Sequence, residues 1–446
     1  MQKRVILFIL IIGTLLSVTN CKKNNGVANK TTNQSSETEV TLELWIMPNN
    51  GQESENNIKK LAKPFLEDNP NVKLNITVLE WGVAFNKIMD AVTNSGEKPD
   101  ITQLGTTWVG MMASQKPGLS DMGQVYNPNN FVEGSLSTTK ILGEDKIFAI
   151  PWFIDTRLLY YRKDACEKVG INPKKDFDTW DKFKKSLEKL NDVEIDGIKM
   201  SAIGMPGKND WNVPHNFSWW IWGAGGDFLD ENAEKSLLGK PEAIEGIKFY
   251  TGLVNDGLLS KEALMKNMAE VTDMFKKGYY ATTITDASLI NNLKVIDDNT
   301  PKNYDYKNFG ITMIPKGPKE RAAFFGGSVL SILESSKNKQ LAAKLVRQLT
   351  SKDAQVELTK TIGHLPALKA VYDHDVIKED PMKSILKEQI KNGKSYPSIP
   401  EWGTIEAILT TELGQLWDIT INEYSEEKIE EKVKSISENV DKVLSE

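Results

Sequence analysis

Basic excess, clustered histidine and paired cysteine are all missing from this sequence, and each absence excludes a class of function. Its 446 residues hold 55 basic and 61 acidic side chains, a net charge of −6, so no basic surface is available for a nucleic-acid backbone and no nucleic-acid partner is expected. The three histidines, His215, His364 and His374, lack the close spacing of metal ligands, and the two cysteines, Cys21 and Cys166, form no Cys-x-x-Cys pair. No glycine-rich phosphate loop ends in Lys-Ser or Lys-Thr. Gly223-Ala224-Gly225-Gly226 starts like a dinucleotide motif, but Phe228 replaces its last glycine and no strand precedes it. Gly326-Gly327-Ser328 runs on into Val329-Leu330 without the second glycine of a nucleophile elbow. No metal, cofactor or catalytic group is therefore expected, although two carboxylates suffice for a glycosidase and sequence spacing cannot reveal such a pair.

Long apolar runs are also scarce, the exception being at the start. Lys3 and Arg4 precede Val5 to Val18, a nearly unbroken apolar stretch shorter than the roughly 20 residues of a membrane-spanning helix. Residues 1–20 thus read as an export signal; a short membrane anchor and a first buried strand are the alternatives. The run ends in Val18-Thr19-Asn20-Cys21, which resembles a bacterial lipobox except that leucine is missing three residues before the cysteine. That resemblance implies lipidation at Cys21 and a membrane anchor; an ordinary signal cleaved nearby is the other reading. Residues 21–39 are rich in Asn, Thr, Ser and Lys and cannot bury enough surface to offset their ordering entropy, so they read as a flexible tether.

Beyond the tether, strand and helix signals alternate. Val40, Leu42, Leu44 and Ile46 recur at period two; Ser54 could cap a helix carrying Ile58, Leu61 and Phe65, with Pro64 expected to kink or end it. A strand at Val72 to Val78, a helix with Phe85, Ile88, Met89 and Val92, and a strand at Ile101 to Leu104 complete a βαβαβ order, which implies a parallel sheet under helices. Later strand signals fall at Ala281 to Thr285, Ile311 to Ile314 and Val329 to Leu333. Apolar stripes at Phe183, Leu187 and Leu190, at Ile244, Ile247, Leu253 and Val254, at Leu341, Leu345 and Leu349, and from Ile429 to Leu444 mark helices. Two α/β lobes between which the chain crosses more than once fit this order and leave a cleft between them.

Tryptophan is abundant, with 11 residues. Trp211, Trp219, Trp220 and Trp222 cluster beside Asn209, Asp210, Asn212, His215 and Asn216, while Trp45, Trp81, Trp108, Trp152 and Trp402 fall at strand ends or in loops. A flat indole suits the C–H face of a sugar ring, and neighbouring amides and carboxylates suit its hydroxyls; core packing is the competing role, and the one favoured for Trp180 and Trp417. In Ile150 to Asp164, Asp155 and Arg157 place opposite charges in a β context, either paired with each other or aimed at a polar ligand.

The run Ala149 to Asp164, Gly225 to Asp230, Lys240 to Gly246, Pro315 to Pro318 followed by Gly326-Gly327, Ser336 to Lys339, and Gly363-His364-Leu365-Pro366 stand in an order that resembles the extracellular solute-binding proteins of bacterial ABC importers, in particular the maltose- and trehalose-type sugar binders. The resemblance implies an α/β, two-lobe periplasmic-binding-protein fold of the type II-like kind, closing on a sugar and docking to a membrane permease. The expected parts are lobe 1 at 40–150 plus 282–325 and lobe 2 at 151–281 plus 326–446. Carried over to this sequence, ligand contacts would lie at Trp45 and Asn49, Glu80 and Trp81, Thr106, Thr107 and Trp108. Others would lie at Trp152, Asp155 and Arg157, at Trp219, Trp220 and Trp222, at Asp286, at Gly326, Gly327 and Ser328, and at Trp402. The implied protein is a monomeric, exported lipoprotein of the cell envelope, anchored by Cys21, with a small sugar and ABC permease subunits as partners. A surface-attached carbohydrate-active enzyme and an adhesin-like lipoprotein are the alternatives.

Overall fold

The computed structural model describes residues 39–49, 53–296, 300–301 and 304–446. The export signal, Cys21 and all but the last residue of the expected tether lie outside them.

The period-two segment forms β1 (Val40–Ile46), which pairs in parallel with β2 (Val72–Val78) and with β3 (Ile101–Gly105). The helix Ser54–Asp68 covers this sheet with Ile58, Leu61, Ala62 and Phe65. It runs through Pro64 instead of ending there: one missing N–H costs less than lifting Phe65 from the core. The helix Trp81–Val92 supplies the second crossover.

β4 (Ile150–Thr156) joins the same sheet, whereas β5 (Leu158–Arg162), beginning two residues later, belongs to another. A short hairpin of β6 (Glu194–Ile195) and β7 (Ile198–Lys199) leads to β8 (Ser201–Gly204). With β9 (Tyr280–Thr285) and β10 (Phe309–Thr312), these strands make the second sheet, ordered β10-β5-β9-β8. The chain then returns through β11 (Ala323–Ile332), which lies antiparallel between β3 and β4; β12 (Leu365–Pro366) and β13 (Gly393–Lys394) extend the first sheet. The first sheet's main path is thus β12-β4-β11-β3-β1-β2.

Sheet membership departs from the boundaries expected for the lobes. Residues 280–285 and 309–312 pair with β5 rather than with β3, and 326–332 pair with β3 and β4. Alternation along a strand sets which face is buried but carries no record of which partner buries it, so the sequence alone could not place these strands. The last two expected strands also shift: β10 ends at Thr312, and β11 begins at Ala323, ahead of Val329.

Three crossings result, at 156–158, between β10 and β11, and after β13 into the helix Trp402–Asn422. That helix and the last one, Glu426–Leu444, pack with the helices Val213–Gly223 and Pro241–Asn255 in one core of the second lobe. All of Val213–Gly223 is buried, which makes it the central helix of that lobe. Among the described residues no helix is long and apolar enough to cross a membrane.

Candidate functional site

Parallel strands end together, so the segments after β1 and β3 open on the same side of the first sheet, facing the crossings. A cleft of about 870 Å³ lies there. Its first-lobe wall carries Asn49, Trp81, Phe85, Thr106 to Trp108 and Ser328; the second lobe contributes Trp211, Asn212, His215 and Glu406. A hollow of about 990 Å³ lies elsewhere, against the helices Trp180–Leu190, Pro241–Asn255 and Glu426–Leu444. There charges neutralise one another, as in Lys248–Glu430 at 2.8 Å and Lys184–Asp256 at 2.6 Å, whereas the cleft at the crossings combines aromatic faces with unpartnered polar atoms.

Aromatic faces form one end of it. Trp81 stands edge-on to Trp108 (centroids 5.8 Å apart) and stacks on Trp211 at 5.5 Å with planes 9° apart, so indoles from the two lobes touch across the opening. Phe85 meets Trp108 edge-on, and His215 stacks on Phe324 at 4.1 Å.

The crossings supply a polar floor. Asp155 is the last residue but one of β4, Arg157 sits in the step to β5, Asp286 follows β9, and His364 precedes β12. Arg157 Nη1 donates to Asp155 Oδ2 at 2.7 Å and Nη2 to Asn212 Oδ1 at 2.9 Å, with the guanidinium over the Phe324 ring at 5.5 Å. Asp286 Oδ1 accepts from the Ser288 N–H at 2.7 Å. Oxygens of Asp155 and Asp286 and a ring nitrogen of His364 lie within 4.8 Å of one another, a set able to hold a cation. Burial raises the Asp155 carboxyl above its usual range, against the pull of Arg157 and with Asp286 adding to the rise. Burial acts the same way on Asp286, but His364, Arg157 and Ser288 outweigh it and hold that carboxyl low. Burial, assisted by Arg157, keeps His215 neutral, well below its ordinary value.

Glu406 closes the site from the second lobe. Its Oε2 accepts from Thr107 Oγ1 of the first lobe at 3.0 Å, and burial pushes its carboxyl up to about 7.

Asn49, Trp81, Thr106, Thr107, Trp108, Asp155, Arg157, Asp286, Gly327 and Ser328, expected from the sequence, all line this cleft. Asn49 and Ser328 are engaged as well: Asn49 exchanges hydrogen bonds with the Gln103 amide, which also donates to Ser328 Oγ at 2.8 Å. Gly327, at φ +131°, sits where a Cβ would lie 2.2 Å from the Phe153 carbonyl, so β11 can pass β4 this closely only with glycine there.

The remaining expected residues are elsewhere. Trp45 lies under the helix Trp81–Val92 with Ala84 and Ile88. Glu80 is exposed and outside the cleft. Trp152 is fully buried and donates Nε1–H to the Leu349 carbonyl at 3.1 Å. Trp219, Trp220 and Trp222 fill the second-lobe core, because their helix is covered on every side; Trp222 Nε1 donates to Asp227. Trp402 is buried in a stack on Tyr396 at 4.4 Å, and Gly326 is buried facing Phe324.

Residues the sequence did not single out as contacts take their place: Trp211, Phe153, Phe324, His215, His364 and Glu406. Trp211, Asn212 and His215 stood inside the tryptophan-rich segment, yet its composition could not separate the half-exposed Trp211 from its buried neighbours. Glu406 stands one helical turn beyond Trp402, on the side turned to the cleft.

Two α/β lobes, a chain that crosses between them three times and a cleft at the crossings define a two-lobe binding protein. The chain belongs to the bacterial extracellular solute-binding protein family, whose model matches residues 50–356. It is 26% identical over 366 residues to a putative binding protein of Brucella abortus, covering 80% of this chain and 84% of that one. It is 25% identical to the diacetylchitobiose binding protein DasA of Streptomyces coelicolor, covering 91% of each. The fold matches the GacH receptor of Streptomyces glaucescens, a structure known without ligand and with acarbose, at a TM-score of 0.76 and 20% identity over 91% of this chain and 99% of that one.

Proposed function

We propose that this protein captures a carbohydrate between its lobes and delivers it to the permease of an ABC importer. The observation that carries this reading is the pairing of facing indoles, Trp81 and Trp211, with a floor of buried hydrogen-bonding groups at the strand crossings. Indoles cover the apolar faces of a pyranose, while Asp155, Asp286, Arg157 and Asn212 accept from and donate to its hydroxyls. The contacts come from both lobes, so a bound sugar stabilises the closed form over the open one, as hinge capture requires. Family membership and the diacetylchitobiose binding of one relative support the same reading. Cys21 serves as the lipid anchor that keeps the receptor beside its permease at the cell envelope.

The test is a titration of the purified protein with mono- and disaccharides while tryptophan fluorescence is followed. Saturable quenching or a spectral shift with a sugar is expected. A response to amino acids or peptides, with none to any sugar, overturns the reading. The anchor is checked separately, by the mass of the mature protein and its change in a Cys21→Ser variant.

A further inference from the structure

The charges of the cleft restrict the solute further. Among the described residues no lysine lines it, and its one arginine is already paired: Arg157 is bound through Nη1 to Asp155 and through Nη2 to Asn212, with its face on Phe324. Its buried Nε has no partner among the described residues, but the charge of the guanidinium is already matched by Asp155, so it is no free cation for a phosphate or carboxylate. The other basic group of the floor, His364, is within reach of both Asp155 and Asp286, so any charge it carries is already matched. With Glu406 at the wall, three acidic groups face Arg157 and His364, because burial holds the third basic group, His215, neutral. Asp155 Oδ1 is moreover buried without a hydrogen-bond partner among the described residues, beside the Asp286 carboxylate.

We infer that the bound saccharide carries a free amino group, seated at Asp155 and Asp286, and that saccharides carrying phosphate or carboxylate are rejected. The inference rests on the carbohydrate reading and narrows it. An ammonium offers three N–H donors and a positive charge to a corner that presents a buried, unpartnered carboxylate oxygen. A neutral hydroxyl satisfies that oxygen with a weaker bond. An anion would meet two carboxylates at short range where water is largely excluded, and no unpaired cation to offset them.

The experiment is calorimetry on the purified protein with matched sets on one scaffold: D-glucose, D-glucosamine and D-glucose 6-phosphate, then the same three forms of D-galactose and D-mannose. The amine should bind about tenfold tighter than the neutral sugar, the ratio expected when a charge-assisted hydrogen bond replaces a neutral one. The phosphate should give no measurable heat. Raising the salt should weaken the amine and leave the neutral sugar unchanged. In Asp286→Asn the amine-to-neutral ratio should fall towards one; should that variant not fold, the salt dependence of the unmodified protein still decides. A phosphate that binds as well as the neutral sugar, or an amine that binds no better, overturns the inference and leaves the carbohydrate reading standing. Absence of binding by every member also overturns the inference, and the carbohydrate reading is then decided by the fluorescence titration with disaccharides.

Discussion

Replacing Glu406 by glutamine should make the protein more stable at neutral and alkaline pH and leave it nearly unchanged in acid. The side chain, 16% exposed, sits in the cleft wall with Thr107 on one oxygen and His215 Nε2 at 3.8 Å from the other. That last contact has the geometry of an ion pair, but burial beside Arg157 keeps His215 uncharged, so it brings no positive charge to Glu406. Burial therefore dominates and lifts the carboxyl from 4.5 to about 7, although the Thr107 hydrogen bond works against the rise. A carboxyl raised on folding contributes stability that is complete below its unfolded value and is lost as pH climbs through its folded value. At about 1.4 kcal/mol per pKa unit, the loss between those two values is on the order of 3 kcal/mol. Glutamine keeps an acceptor for Thr107 and cannot ionise. Urea unfolding of both proteins across this pH window should give a difference near zero at about pH 4.5 that grows to roughly 3 kcal/mol in favour of the variant by about pH 8. A difference that is flat with pH, or one that favours the glutamate as pH rises, would mean that Glu406 is held by a charged partner and would refute the argument.

Other substitutions separate the cleft from the core. Arg157→Ala strands Asp155 as a buried, uncompensated carboxylate and should cost about 3–5 kcal/mol in chemical denaturation; a loss below about 1 kcal/mol would mean that water reaches that oxygen freely. Trp211→Ala removes a side chain that is 51% exposed and stacked only from the other lobe, so stability should change by about 1 kcal/mol or less while the fluorescence response to sugar collapses. Trp220→Ala, in the middle of the second-lobe core, should cost about 3–5 kcal/mol by urea unfolding; a cost like that of Trp211→Ala would contradict its placement.

Much of the fold was legible because it is local. Period-two and helical spacing marked β1, β2, β3 and the helices between them, and the alternation of strand and helix implied the parallel pairing that β1 makes with both neighbours. Asp155 and Arg157 stood out as opposite charges in a β context, and they are both paired with each other and in the cleft. The tryptophans were far less legible. An indole at a strand end or in a loop looks the same in sequence whether a helix covers it, as with Trp45, or the other lobe faces it, as with Trp81.

The amino-acid sequence by itself determined the order of strands and helices and the apolar faces, since these depend on residues a few positions apart, while the class of protein came from the resemblance of its ordered motifs to a known family. The tertiary structure alone decided which sheet receives β9, β10 and β11, and which aromatic rings reach the cleft. The physical reason is that burial belongs to a pair of surfaces: Trp81 meets Trp211 and Thr107 meets Glu406 only because the chain crosses three times and folds back, which no local pattern encodes.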